Sequence, residues 1–218
     1  MVTPQLTAEA HERVAAAIRA AEARTSGEIY VVVAAKTDEY RMLPLLWAAL
    51  LALIGGWMAP LWSTLVTWWS GWAVPGVSAA ELALGQAIVF VLLALLSLLP
   101  RLRMVLVPRA VKRACAENHA REQFLAHNLH ATQSRTGVLI FVSLAEHHAE
   151  ILADTAIDSQ VPENFWTATV DRLTAEIGAG RLAEGLVLAV EACGAALTEH
   201  FPRRDDDRNE LPDKVVEI

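Results

Sequence analysis

Between Met42 and Pro100, fifty-nine residues, the chain carries one charged side chain, Glu81. A run that apolar constrains the fold more than any motif, because water will not tolerate it uncovered. Soluble domains hold about 45–50 % apolar residues. This chain of 218 residues holds 54 %, with mean hydropathy +0.34, and the excess sits in that one block. The pattern excludes a wholly soluble chain, a disordered tail protein and a disulfide scaffold. Burying the block as a helical hairpin inside a soluble core is the bland alternative, and the other 159 residues could hardly cover it.

A membrane-spanning helix takes about 20 mostly apolar residues. Leu43 to about Trp68 supplies one span and Leu82 to Leu99 a second, with Gly and Pro punctuation between Trp69 and Ser78 that suits a turn. Trp57, Trp62, Trp68, Trp69 and Trp72 cluster toward that turn, as an interfacial belt would. The turn has no Lys or Arg. Lys36 and Arg41 precede the first span, and Arg101, Arg103, Arg109, Lys112 and Arg113 follow the second. The positive-inside rule then puts both termini in the cytoplasm and the turn outside, in the plasma (inner) membrane. The N-terminal residues lack the basic and apolar regions of a cleaved signal peptide. Cys115 and Cys193 are expected as free thiols.

Charge is unevenly spread. Residues 101–135 hold seven basic and two acidic side chains, whereas residues 136–218 hold six basic and sixteen acidic. The acidic balance excludes nucleic acid as a partner. The basic stretch directly follows a span and reads as a membrane-surface anchor, made by Arg101, Arg103, Arg109, Lys112 and Arg113 against lipid headgroups.

The soluble pieces complement each other. Thr7 suits an N-cap, and Val14, Ala17, Ile18 and Ala21 follow at helical spacing. Glu28 to Ala35 is a near-continuous β-branched run, the pattern of a strand covered on both faces. Its partners come only after the block: a helix from Arg109 to about His130, a strand over Val138–Leu144, and a hairpin into Ala149–Asp154. Two closing helices follow, the first through Trp166, Val170, Leu173 and Ile177, the second through Leu182, Leu186, Val190, Cys193 and Leu197. The expected organisation is one α/β domain, helices on both sheet faces. Residues 1–41 form its first part, 42–100 a transmembrane helical hairpin, 101–202 the second part, and 203–218 an acidic, disordered tail.

These residues resemble a known family. Ser26-Gly27-Glu28-Ile29, Thr136-Gly-Val-Leu-Ile140, the polar hairpin leading to Glu150-Ile-Leu-Ala-Asp154, and Ala179-Gly-Arg-Leu-Ala-Glu-Gly185 look like a TPM domain. The resemblance covers residues 7–35 and about 109–200 and is greatest to bacterial membrane members. It implies a small α/β/α sandwich, usually membrane-tethered, with phosphatase activity and divalent-cation binding proposed for some members. Where many members have a glycine-rich turn after the hairpin, this chain has Ala153-Asp-Thr-Ala-Ile-Asp158.

No Walker loop, His-Glu-x-x-His, Gly-x-Ser-x-Gly or Cys-x-x-Cys is present. Catalytic and cofactor-binding residues are therefore not assigned. Asp154 and Asp158 lie just past a strand end, where they and Glu163 would offer hard oxygen ligands to Ca²⁺ or Mg²⁺. The bland reading of the same residues is a solvated or helix-capping loop. His127, His130, His147 and His148 invite a metal reading, but nothing in their spacing converges them. Thr25-Ser26 and Arg135 would suit an anion, or simply a helix end and an exposed strand approach. Three functions remain open. The first is a membrane-anchored, cytoplasm-facing interaction or regulatory module, with the lipid bilayer and a protein in the membrane or cytoplasm as partners. The second is a cation-dependent phosphatase using the Asp154/Asp158/Glu163 loop. The third is a hairpin that oligomerises or forms a channel element.

Overall fold

The computed structural model describes residues 6–71, 78–132, 135–204 and 211–218, with the side chains of residues 59, 100, 101 and 163 outside that description. The chain forms two compact units, one of residues 1–38 with 112–218 and one of residues 39–111.

The first unit opens with helix α1 (Ala8–Glu22), whose start is set by Thr7: its hydroxyl accepts the Ala10 N–H at 3.2 Å. Val14, Ala15, Ile18 and Ala21 form its buried face, at the spacing the sequence predicts. Strand β1 (Glu28–Ala34) is buried at every residue.

The second unit follows. It contains α2 (Met42–Ser70), α3 (Ala79–Leu96) and the short α4 (Pro100–Leu106). Among the described residues, α3 is the one unbroken helix long and apolar enough to cross a membrane. α2 meets that test only if Met42–Met58 and Pro60–Ser70, bent by 42° at the break, count as one span. Pro60 removes a backbone donor at the bend, which is the ordinary cause of such a kink. α2 and α3 pack against each other through a notch: a Cβ on Gly56 would lie 1.8 Å from the Gln86 amide nitrogen. The one charge of the block has a local task. Glu81 completes a capping box with Ser78, accepting the Ser78 N–H at 2.8 Å while the Ser78 hydroxyl takes the Glu81 N–H at 3.3 Å.

The first unit then resumes with α5 (Arg109–Ala126), β2 (Gly137–Ser143), β3 (His148–Ala153), α6 (Thr155–Asp158), α7 (Glu163–Gly178), α8 (Leu182–His200) and β4 (Val215–Glu217). The four strands form one sheet in the order β3-β2-β1-β4, with β1 parallel to both β2 and β4 and β3 antiparallel to β2. Alternate residues face opposite layers. Ile29, Val31, Val33, Val138, Ile140 and Val142 pack with Val14, Ile18, Leu173, Leu186, Val190 and Leu197 of α1, α7 and α8. Tyr30, Val32, Ala34, Leu139 and Phe141 pack on the other face with Ala116 and Ala120 of α5 and with Leu129. Both faces of β1 and β2 are covered, which is why these strands read as continuous apolar runs rather than alternating ones.

Two expectations change. The helix predicted to reach about His130 stops at Ala126, because Asn128 turns left-handed (φ 56°) and drives Leu129 inward as part of a short 3₁₀ turn. The tail predicted as disordered over 203–218 contains β4, paired in register Val31↔Val215 to Val33↔Glu217. Residues 205–210, which hold the Asp205-Asp-Asp207 run, lie outside the described residues.

Leu129 also explains Gly137. A Cβ there would meet the Leu129 carbonyl oxygen at 2.4 Å, a backbone atom with no freedom to turn aside. Gly137→Ala is expected to cost about 1–3 kcal/mol through this overpacking. Thermal unfolding of the detergent-solubilised chain, followed by circular dichroism, checks it: an unchanged midpoint would mean the strand start tolerates the methyl group.

Candidate functional site

The acidic loop folds around its own helix start. Asp154 is the N-cap of α6, and its Oδ1 accepts the Thr155 N–H at 2.6 Å and the Thr155 hydroxyl at 3.1 Å. The residue is only 7 % exposed, and its second oxygen, Oδ2, is buried without a hydrogen-bond partner. Asp158, one turn on, is exposed, and its N–H closes the helix onto the Asp154 carbonyl at 3.1 Å. Glu163 opens α7, with its side chain outside the described set. Among the described residues, no three His, Cys, Asp or Glu side chains gather as a metal site.

The basic residues divide by role. Arg103 caps the chain end of α3: its guanidinium donates to the carbonyls of Glu39 at 3.0 Å, Ser97 at 3.4 Å and Leu98 at 3.5 Å. Arg113 pairs with Glu117 one turn along α5 at 2.6 Å. Arg109 is exposed and Lys112 half-buried, while the side chain of Arg101 lies outside the described set. The histidines are dispersed. His127 stacks on Tyr30 with ring centroids 4.4 Å apart, His148 lies 3.4 Å from Glu150, and His130 and His147 are exposed. Thr25 and Ser26 spend their hydroxyls on the end of α8, Thr25 on the Phe201 carbonyl at 2.5 Å and Ser26 on the Pro202 carbonyl at 3.4 Å. Arg135 is exposed. Neither Cys115 nor Cys193 forms a disulfide. Burial pushes the Cys193 thiol up to about 12, so it is inert at neutral pH.

The structure adds a site that sequence reasoning missed. A cavity of about 160 Å³ opens between the end of α1, the start of β1 and the chain before β4, lined by Arg19, Glu22, Thr25, Glu28, Arg203 and Asp213. Glu22 is its most perturbed group. Burial pushes its carboxyl up to about 9, the negative charges of Glu28 and Asp213 add to the rise, and the Ile29 N–H, bonded to Oε1 at 2.9 Å, opposes it. Arg19 gives its guanidinium to Glu12 at 2.5 Å. The only clue in the sequence was an acid in the last turn of α1, where the helix dipole disfavours negative charge. Chemically, the arrangement holds a proton at neutral pH in a spot lined by charged groups, a pattern that perturbed functional sites share.

Residues 100–196 match the family model of the TPM domain, a model that carries the name TPM phosphatase. None of the curated proteins matches the chain. Among solved structures, the NMR structure of the BA42 protein from the psychrophilic bacterium Bizionia argentinensis is similar, with a TM-score of 0.58 and 21 % identity. It covers 100 % of this chain and 98 % of that one. At that identity the likeness speaks for the fold, a mixed α/β arrangement around a four-stranded sheet, and for nothing finer.

Asp154→Ala is expected to lose about 1 kcal/mol with the cap, while Asp154→Asn, which keeps an acceptor, is nearly silent. Added Ca²⁺ or Mg²⁺ is expected to leave the unfolding midpoint of both the wild type and the Asp154→Asn/Asp158→Asn variant unchanged. A cation-dependent rise that the double variant loses would restore the metal reading. Glu22 predicts a pH dependence of opposite sense to an ordinary ion pair. Its folded pKa lies above the unfolded value of 4.5, so its contribution is fully present below pH 4.5 and is lost as pH rises through about 9. Unfolding midpoints should therefore fall from pH 5 to pH 9, and Glu22→Gln should flatten the decline.

Proposed function

We propose that the chain is a membrane-anchored TPM-like module, in which α2 and α3 span the plasma (inner) membrane as a hairpin and the α/β unit acts in the cytoplasm as an interaction or regulatory domain. One observation carries the anchor: α3 has a mean hydropathy of 2.2 over its 18 residues, and none of them is buried. A core helix of the same composition would be covered. α2 supports the same reading, with Trp57, Trp62, Trp68 and Trp69 between 71 % and 87 % exposed. Its hydroxyls are satisfied inside the helix: Ser63 donates to Pro60, Thr64 to Leu61, Thr67 to Ser63 and Ser70 to Val66. Lipid offers no partner to a polar group, so such back-bonding is what a spanning helix needs. Arg109 and Lys112, with Arg101 beside them in the sequence, supply the positive flank that orients both ends inward. For the α/β unit the reading is a regulatory or binding role, with the bilayer and a membrane or cytoplasmic protein as partners.

A cation-dependent phosphatase is the second reading. It is favoured by the orphaned, buried Oδ2 of Asp154 and by the name of the matching family model. Turnover of a phosphomonoester by the purified protein, appearing only with Ca²⁺ or Mg²⁺ and lost in Asp154→Asn, would put this reading first.

Topology labelling tests the leading one. In a Cys115→Ser background, a cysteine at Ser78 is expected to react with an impermeant maleimide from outside the cell. A cysteine at the exposed Ser159 should react only after the membrane is opened. The reverse pattern overturns the orientation, and a chain released by carbonate washing overturns the anchor.

A further inference from the structure

α3 ends at Leu96, and α4 begins shortly after, at Pro100. Leu99, just before it, is extended (φ −70°, ψ 116°), so α4 leaves the axis of α3 instead of prolonging it. One guanidinium then fixes where α4 goes. Arg103 on α4 donates to the Glu39 carbonyl before α2 at 3.0 Å, and to the Ser97 and Leu98 carbonyls just past α3 at 3.4 and 3.5 Å. The start of α2 and the end of α3 therefore lie side by side. α4, which also packs on α2, runs across their common base, and Arg103 positions it there.

A helix in that place carries an apolar surface that water does not suit. Val105 is 79 % exposed and Leu106 39 %, and Leu98 and Leu99, in the turn before α4, are exposed as well. The chain around them is basic: between Glu81 and Glu117 it has five Arg or Lys and no acid. Arg109, just past the end of α4, is exposed. The boundary between acyl chains and headgroups accommodates both kinds of side chain on one short helix, and anionic headgroups attract the basic ones. We propose that α4 is an in-plane interfacial helix, with Val105 and Leu106 sunk among the acyl chains and Arg109 on the headgroup of an anionic phospholipid. The inference rests on α2 and α3 spanning the membrane, and it adds a lateral contact at their base. Val107, buried and extended, ends α4, so the chain leaves for α5 from a fixed depth.

Fluorophore labelling of the full chain in lipid vesicles tests this, in a Cys115→Ser background with Cys193 inert in the core. A polarity-sensitive label is placed at Val105→Cys or Leu106→Cys, and in parallel at Ile88→Cys, midway along α3. The quencher is a nitroxide on the lipid chain, carried by phosphatidylglycerol or by phosphatidylcholine at equal mole fraction. All three labels should be quenched. At Val105 and Leu106 phosphatidylglycerol should quench about fivefold more efficiently, the Boltzmann factor of one basic side chain at an anionic surface. Arg109→Gln should remove that preference and leave the quenching itself. The label at Ile88 separates this inference from the anchor. If it is quenched while those at Val105 and Leu106 are not, the interfacial helix is overturned and the span stands. If none is quenched, the span fails and the inference falls with it. A label at Val105 that is shielded from water yet unquenched also overturns it, because protein and not lipid would then cover α4. Equal quenching by the two lipids overturns the anionic partner.

Discussion

The first unit depends on one pairing. Seven residues of β1 lie parallel to seven of β2, from Glu28↔Gly137 to Ala34↔Ser143, although the whole insertion and α5 intervene in the sequence. Parallel strands need a crossover to connect them, and here the crossover contains a second compact unit. Loop closure becomes only slowly more costly with length, and a hairpin that packs on itself behaves as a much shorter loop than its residue count suggests. Inserting the apolar unit is therefore compatible with a central strand pair, provided the chain leaves β1 at a fixed point.

Glu146 fixes that point. It is buried in the β2–β3 turn, where its carboxylate accepts the Ser143 hydroxyl and the Thr37 N–H, the latter at 3.2 and 3.3 Å from its two oxygens. The turn is tied to β1 as well, since Leu144 and Ala145 donate to the Ala34 and Ala35 carbonyls at 3.0 and 3.2 Å. A buried carboxylate is tolerable only when donors surround it. Here one donor is Ser143 at the end of β2 and the other is Thr37, just before the chain departs for the insertion, so the polar group ties that departure to the turn instead of weakening the core.

Most of the fold was legible because its signals are local. The Thr7 cap, the β-branched runs of β1 and β2, and the periodic apolar faces of α7 and α8 each belong to one short segment. What escaped was tertiary. β4 has three residues after an acidic run, and nothing in Val215-Val216-Glu217 announces a strand until β1 offers an edge. Asn128 ends α5 early through its backbone conformation, which a sequence of good helix formers conceals. The acidic loop was legible as two alternatives, and Asp154 takes the capping one. Arg103 reads as a lipid anchor on charge alone, whereas its guanidinium is hydrogen-bonded to the carbonyls of Ser97 and Leu98 just past α3 and of Glu39 before α2. The cavity was invisible because Glu22, Glu28 and Asp213 come together only when β4 docks.

The two buried acids, Glu146 and Glu22, show why position in the hydrogen-bond network matters more than burial by itself. Both lie where the chain changes direction beside β1. Glu146 meets a hydroxyl and an N–H, so donors answer its charge. Glu22 meets one N–H and two other carboxyls, and the nearby Arg19 is committed to Glu12. A group in that position lowers its free energy most simply by keeping its proton, because a neutral carboxyl costs less to desolvate and can itself donate. The same residue type thus serves as a fixed tie at one end of β1 and as a proton-bearing contact at the other. Each role follows from how many donors its neighbours bring.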